Sequence, residues 1–275
     1  MKTDVKMRRA AAFAALGFAF CAGGRCAQSR VVSLLPSNTR TLYALGAEPV
    51  CVSNFCAAGS AVPRCGDSFS PDIEKIVSLH PDVVLAGGTR TSGARARLAR
   101  LGIKTVEIPD PQTVAGVFDG IVLIGEAAGK RAEALKLAGR MRAELAALEL
   151  RARNTRPPRV YVELDVNHWT AGAGSYITDL VAAAGGENIF ADLKSSYGKV
   201  AWESIVERSP DVILDLSFVR TDFEKLAGAG LVPAIKNRRV LRPGNADEYL
   251  RPSVNIVGTL AEFNSLLFPA HEKTP

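Results

Sequence analysis

Apolar residues in this chain follow two rhythms that take turns. Arg30 to Leu35, Glu48 to Asn54, Asp82 to Leu85 and Ile103 to Ile108 are short runs with the length and branched side chains of buried strands. Thr39 to Leu45, the stretch before Pro81, and Ala94 to Leu101 instead repeat their apolar positions at helical spacing. Gly46 and Gly102 stop two of these helices. Pro81 stops the other, because the residue before a proline is pushed out of helical space. Ser70-Pro71 predicts where that helix starts, with serine as N-cap, proline at the first helical position and Glu74 in the first turn. Strands alternating with helices imply a parallel sheet covered on both faces.

After Ile108 the rhythm changes. Gln112 to Arg153 is dominated by Ala, Leu, Glu, Lys and Arg at helical spacing, interrupted by Gly120, Gly125, Gly129 and Gly139. One or two long helices are expected, ending at Arg156-Pro157-Pro158. Helix of about 40 residues, at about 1.5 Å each, is long enough to run along both flanking units and fix their angle. The strand and helix alternation then resumes with strand Val160 to Leu164, helix Tyr176 to Ala184 and Gly185-Gly186. A helix holding Glu203, strand Asp211 to Leu216, Ala234 to Leu241 and helix Ser253 to Leu267 complete the chain. The expected organisation is a leader over 1–27, an α/β lobe over 30–110, a helical connector over 111–156 and a second α/β lobe over 157–269.

The two lobes share sequence. Ile73-Glu-Lys-Ile-Val-Ser-Leu-His-Pro-Asp-Val-Val-Leu85 and Trp202-Glu-Ser-Ile-Val-Glu-Arg-Ser-Pro-Asp-Val-Ile-Leu214 agree at seven of thirteen positions, at an offset of 129 residues (203 − 74). Arg30-Val31 and Arg159-Val160 keep the same offset. Duplicated lobes imply a cleft between them, where small-molecule sites concentrate.

Composition refines this picture at the N-terminus. Lys2, Lys6, Arg8 and Arg9 precede an apolar run from Ala10 to Ala22, the pattern of an export leader. Cys21 and Cys26 stand where a lipid anchor could attach, although Phe20 and Arg25 before them depart from the small-residue rule of lipoprotein processing. Removing the five basic residues and one acid of this leader leaves 29 against 27, so the mature chain carries about +2 rather than +6. Its Arg-rich stretches, near Arg90 to Arg100 and Arg151 to Arg159, lack interleaved aromatics and read as solvated helix faces; no nucleic-acid partner is expected. Export permits disulfides, and Cys56 with Cys65 would close a short loop, leaving Cys51 as a buried thiol in a strand.

Catalytic signatures are missing. Gly125 to Arg131 has three residues between its glycines and an arginine where a phosphate loop needs serine or threonine, so it reads as a helix interruption. Gly172-Ala-Gly174-Ser175 lacks the second glycine of a nucleophile elbow. Of three histidines only His168, beside Trp169 in a loop after a strand, has a site role open to it, with a plain surface loop as the alternative. Ligands of parallel α/β lobes sit at the carboxyl ends of strands. The loops there hold Pro36-Ser37-Asn38, Asn54-Phe55, Gly87 to Arg90, Asn167-His168-Trp169, Tyr197, and Asn245 to Tyr249. Flat aromatic surfaces with a few amides, hydroxyls and an arginine suit a large, partly conjugated ligand.

Six motifs in order resemble one known family: Val31 to Thr39, Ala44-Leu-Gly-Ala47, Ile73 to Ile76 with Pro81-Asp-Val-Val84, Leu101-Gly-Ile-Lys104, Gly185 to Phe190, and Ser209 to Ile213. Together they look like the periplasmic binding proteins of the iron-siderophore, haem and vitamin B12 class, with the vitamin B12 binders the nearest pattern. The resemblance implies two Rossmann-like lobes with parallel sheets joined by a single long backbone helix, the class III arrangement. It also implies a monomeric, non-enzymatic protein with no resident cofactor and no catalytic residue, which delivers ligand to an inner-membrane ABC permease. Glu74 and Glu203 match the glutamates that dock on the permease, where the residues alone leave helix stabilisation as the other reading. The implied ligand site is Pro36, Ser37, Asn38, Phe55, Arg90, His168, Trp169, Tyr197, Asn245, Glu248 and Tyr249. Phe55, Trp169 and Tyr197 fall on aromatic positions of the cobalamin pattern, while two of its tryptophan positions are lost, with Cys65 and Gly87 in their neighbourhoods, and Tyr249 stands where it has arginine. Haem is the alternative ligand, with His168, Tyr197 or Tyr249 as the axial group and Arg90 facing a propionate. A ferric siderophore is third, since only Arg90 and Arg251 are placed to meet an anionic chelate. The competing classes are an enzyme or chelatase on the doubled scaffold, and a sensor presenting the same cleft to a receptor.

Overall fold

Four parallel strands, β1 (Val31–Ser33), β2 (Cys51–Val52), β3 (Val83–Gly87) and β4 (Thr105–Ile108), form the first sheet in the order β2-β1-β3-β4. The computed structural model describes residues 29–88, 91–152 and 156–269, so the leader with Cys21 and Cys26, and Arg90, lie outside the described residues. Helices α1 (Pro36–Ala44), α2 (Ile73–Ser78) and α3 (Ser92–Arg100) cross between the strands. After the connecting helices α4 (Val114–Ala127) and α5 (Arg131–Ala152), the second lobe repeats the plan. Its strands β5 (Arg159–Glu163), β7 (Glu187–Asn188), β9 (Val212–Asp215) and β10 (Val240–Leu241) run parallel in the order β7-β5-β9-β10, strand for strand that of the first lobe. Helices α6 (Tyr176–Ala183), α7 (Trp202–Arg208), α8 (Pro233–Lys236), α9 (Ala246–Leu250) and α10 (Ile256–Leu267) accompany them. Two short strands, β6 (Trp169–Ala171) and β8 (Tyr197–Lys199), pair antiparallel as a separate ribbon on this lobe.

The repeated sequence has a physical job. Trp202 opens α7 and Val212 opens β9, each 129 positions after Ile73 and Val83, which open α2 and β3. The Arg30 N–H donates to Asp82 Oδ2 at 2.7 Å, and the Arg159 N–H donates to Asp211 Oδ2 at 2.9 Å. Each Pro-Asp pair thus ties its own strand to the start of its lobe. Before each proline, His80 (φ 44) and Ser209 (φ 49) take left-handed backbone, which turns the chain sharply from helix into strand. The start of α2 differs from the expectation: Asp72, not Ser70, is the N-cap, its carboxylate accepting the Lys75 N–H at 3.0 Å. A carboxylate there satisfies an orphan donor and favours the helix dipole together.

The connector is a hairpin rather than one continuous rod. Gly129, at φ 70, makes the turn, and a Cβ on Gly125 would lie 2.3 Å from that of Ala134, so only glycine lets the two arms close. Arg142 reaches back from α5 to Asp119 at 2.9 Å and lies over the Phe118 ring, which confirms the antiparallel course. The 22-residue α5 extends about 33 Å and is the long helix that leads into the second lobe. Val114, Val117, Phe118, Ile121 and Ile124 bury one face of α4. Their core is continuous: Val31, Leu42 and Leu85 of the first lobe join through α4 and α5 to Val160, Leu180, Leu214 and Leu260 of the second. At about 2 kcal/mol per buried side chain, peeling α4 away would cost on the order of 10 kcal/mol. Wide hinge opening is therefore disfavoured. The other face of each sheet has its own smaller core, with Leu34, Cys51, Cys65 and Ile76 in the first lobe and Tyr161, Phe190, Trp202 and Phe223 in the second.

Candidate functional site

Between the lobes lies a cleft of about 690 Å³. The first lobe supplies Pro36 and Ser37 at the start of α1, with Phe55 and Phe69 from the loop after β2. The second supplies Tyr176, Tyr197 and Phe218, and Asp110, Pro111 and Gln112 come from the turn before α4. Asp247, Leu250, Arg251 and Pro252 line the remaining side. Phe55 (64% exposed) and Phe218 (80%) leave most of their ring surface uncovered, where a packed core would hide it.

Local structure explains how these rings are presented. Arg64 sits inside the loop after β2 and donates to the carbonyls of Ser53 (3.1 Å), Cys56 (2.5 Å) and Ala58 (3.3 Å), giving the loop a shape without a hydrophobic centre. Asp67 Oδ1 accepts the N–H groups of Phe69 and Ser70, and Ser68 Oγ anchors that turn to the Leu34 carbonyl at 2.6 Å. Across the cleft, Tyr197 is fixed by ribbon pairing opposite Ala171. Burial pushes the Tyr197 hydroxyl above the usual phenol range, and burial beside Asp179 does the same for Tyr176. Both rings are neutral at physiological pH. Among the described lining residues, charge is limited to the carboxylates Asp110 and Asp247 and the guanidinium Arg251. The described lining offers aromatic surface and neutral hydrogen-bonding groups in preference to cations.

Contacts across the lobes hold this geometry. Asp179 Oδ2 of α6 accepts the Val114 N–H at the start of α4 at 2.6 Å. Arg40 of α1 pairs with Glu248 of α9 at 2.9 Å, and Asn255 adds a second hydrogen bond to that carboxylate.

The residues expected at the site divide accordingly. Pro36, Ser37, Phe55 and Tyr197 line the cleft. Trp169 shares the ribbon face of Tyr197 and is half-exposed, but stands outside the lining. Asn38 is 2% exposed and lines a small adjoining pocket of about 50 Å³ that shares Ser37 and Asp110 with the cleft. Asn245 flanks the start of α9, and Glu248 is engaged with Arg40, so neither is part of the lining. Two expectations are corrected outright. Tyr249 is fully buried with its ring edge-on to Phe263 at 5.9 Å, because the α9 register turns it into the core. His168 faces inward in left-handed backbone (φ 61), its Nδ1 3.2 Å from the Glu163 carboxylate and its ring over Trp202 at 5.7 Å. The Cys56–Cys65 closure is also not what the fold brings together: Cys56 Sγ lies 3.2 Å from Ser53 Oγ, whereas Cys65 Sγ donates to the Val52 carbonyl at 3.4 Å and shares its core with Cys51. Glu74 and Glu203 stand exposed in the first turns of α2 and α7, with no ion pair among the described residues.

Phe69, Asp110, Gln112, Tyr176, Phe218 and Leu250 line the cleft without having been expected there, and Asp247 lines it from the expected loop Asn245 to Tyr249. Phe218 had a readable signal, since Phe218-Val219 follows a buried strand in a polar loop, where consecutive apolar residues have no core to enter.

Comparison with known proteins agrees with this architecture. The periplasmic binding protein family matches residues 31–245. A cobalamin-binding protein of Halobacterium salinarum is 32% identical over 228 residues, covering 78% of this chain and 62% of its own length. The chain thus spans about three fifths of that relative. The periplasmic vitamin B12 binding protein of Vibrio cholerae superposes with a TM-score of 0.72 at 24% identity, covering 87% of this chain and 96% of that one. The periplasmic haem binding protein of the same organism superposes at 0.74 and 21%, covering 88% and 99%. Fold likeness is therefore equal for the two ligands. With a family match across most of its length and the same two-lobed architecture, the chain belongs to the periplasmic binding protein family.

Proposed function

We propose that this protein is the exported solute-binding component of an ABC importer, that it captures cobalamin between its lobes, and that it presents the ligand to the permease through Glu74 and Glu203. The observation that carries the ligand reading is the set of exposed aromatic rings, Phe55 on one lobe with Tyr197 and Phe218 on the other, in a cleft whose described lining holds few charges. A corrinoid offers a large, flat, amide-rich surface that stacks on rings and hydrogen-bonds neutral groups. An anionic chelate would instead call for several convergent cations. Haem is the second reading, favoured by the Tyr197 hydroxyl as an axial oxygen on the cleft wall. Anchoring through Cys21 or Cys26 belongs to the same proposal.

Titration of the mature protein with cyanocobalamin, haemin and a ferric siderophore, followed by tryptophan quenching and absorbance, tests the ligand. Micromolar or tighter binding of cyanocobalamin is expected; binding of haemin alone would replace it. Glu74→Ala combined with Glu203→Ala tests delivery, because two carboxylates on separate rigid lobes set orientation and encounter more than ligand affinity. Uptake by cells should fall about tenfold or more with the dissociation constant of the free protein unchanged. Intact uptake would point to a sensor instead.

A further inference from the structure

The loop that presents Phe55 and Phe69 returns alongside β2, with the Val52 N–H donating to the Pro63 carbonyl at 3.1 Å and the Cys65 N–H donating to the Val52 carbonyl at 2.9 Å. This brings Cys65 beside Cys51, 14 positions earlier (65 − 51). Both side chains are fully buried in the same outer core of the first lobe, with Ile73 and Ile76, and Cys65 Sγ lies 3.4 Å from the carbonyl of Val52, the residue next to Cys51. The Cys65 carbonyl in turn accepts the N–H of Asp72, the cap of α2. One point in the lobe therefore joins the base of the aromatic loop to the helix that carries Glu74. Cys56, the remaining thiol among the described residues, is directed elsewhere, onto Ser53 Oγ.

We propose that Cys51 and Cys65 are a covalent modification site, oxidised to an intramolecular disulfide that pins the base of the cleft loop. The two thiols lose two protons and two electrons as one S–S bond forms. The electrons reduce the disulfide of an extracytoplasmic thiol oxidant, either an oxidoreductase or oxidised glutathione, to two thiols. Both sulfurs are enclosed once the outer core closes, so the exchange takes place during folding, while the short loop keeps the partners near one another. Cross-linking a loop of this length restricts the unfolded chain and holds Phe55 and Phe69 ready for a ligand.

The test is peptide mass mapping of the exported full chain, alkylated under denaturing, non-reducing conditions. The expected result is an alkylated Cys56 and a linked peptide pair containing Cys51 and Cys65, lighter by two hydrogens than the two free peptides. Cys56→Ser should retain the link. Alkylation of Cys51, Cys56 and Cys65 together, or a link that includes Cys56, would overturn the proposal. Reductant should lower the melting temperature of the wild-type protein by on the order of 5–10 °C, and leave a Cys51→Ser, Cys65→Ser double variant unmoved. If that variant does not fold, the mapping of wild-type protein still decides. Weaker binding of cyanocobalamin after reduction, by severalfold, is a further expected result that rests on the ligand reading; the mass map does not, so the two can fail separately.

Discussion

Leu34 and Glu163 occupy the same place in the two lobes, 129 positions apart at the end of the first strand, and both are fully buried. In the first lobe the chain passes directly into α1, and a leucine closes the outer core. In the second lobe the ribbon strand β6 is inserted before α6, and the glutamate accepts hydrogen bonds from Tyr161 and, at 2.8 Å, from Thr221, with His168 of the insert beside it. A repeated core position can thus be converted from apolar packing to a polar knot where an added segment must be held against a strand end. The condition is that every buried polar group finds a partner. Burial holds the Glu163 carboxyl above the usual carboxylate range even so, because desolvation outweighs its hydrogen bonds.

Four measurements break or sharpen this comparison. Leu34→Ala should cost about 3–4 kcal/mol of stability by leaving a cavity. Denaturant unfolding should return the same loss across pH; a strong pH dependence would refute the purely apolar role. Glu163→Ala should cost about 3 kcal/mol, since Tyr161 and Thr221 lose a buried acceptor. Here pH matters. A carboxyl whose folded pKa lies above its unfolded value contributes stability that is fully present below the ordinary value of 4.5 and is lost as pH rises through the folded value. The gap between wild type and Glu163→Leu should therefore be widest in acid and narrow toward neutrality, and a gap that widens with pH would reverse the assignment. Next, Phe55→Ala and Tyr197→Ala remove one ring from each lobe, and each should weaken cyanocobalamin binding about tenfold. A loss confined to one of them would place the ligand on a single lobe. The smallest effect is expected at the duplicated aspartates, where Asp82→Ala and Asp211→Ala should each cost about 1 kcal/mol through the lost backbone hydrogen bond. The Asp211 variant should lose more, because its partner is less exposed.

The duplicated framework was legible because it rests on local signals. Prolines, the paired Pro-Asp aspartates and buried β-branched runs fix strand starts whatever surrounds them. The α4–α5 hairpin was only half legible: helical spacing is visible over 112–153, but the reversal depends on Gly125 meeting Ala134, a contact that spacing does not encode. At the site, loops after strands were found by topology, which brought in Phe55 and Tyr197. Direction within those loops was not. Tyr249 and Trp169 are both aromatic and in loops named for the site, yet a helix register sends one into the core, and the other stands outside the lining although it shares the ribbon face of Tyr197. Asp110 and Gln112 escaped notice because they precede a helix in the connector and come into the cleft only when the lobes pack against it.

The unbroken apolar core through α4 and α5 has a practical consequence for anyone handling the protein. Lobes that shared only a linker would melt separately, whereas these should give one cooperative transition in calorimetry, with neither half able to stand when the other has gone. A ligand wedged between them then stabilises the whole molecule at once. Its presence should appear as a single melting peak displaced upward, by an amount that grows with the logarithm of ligand concentration.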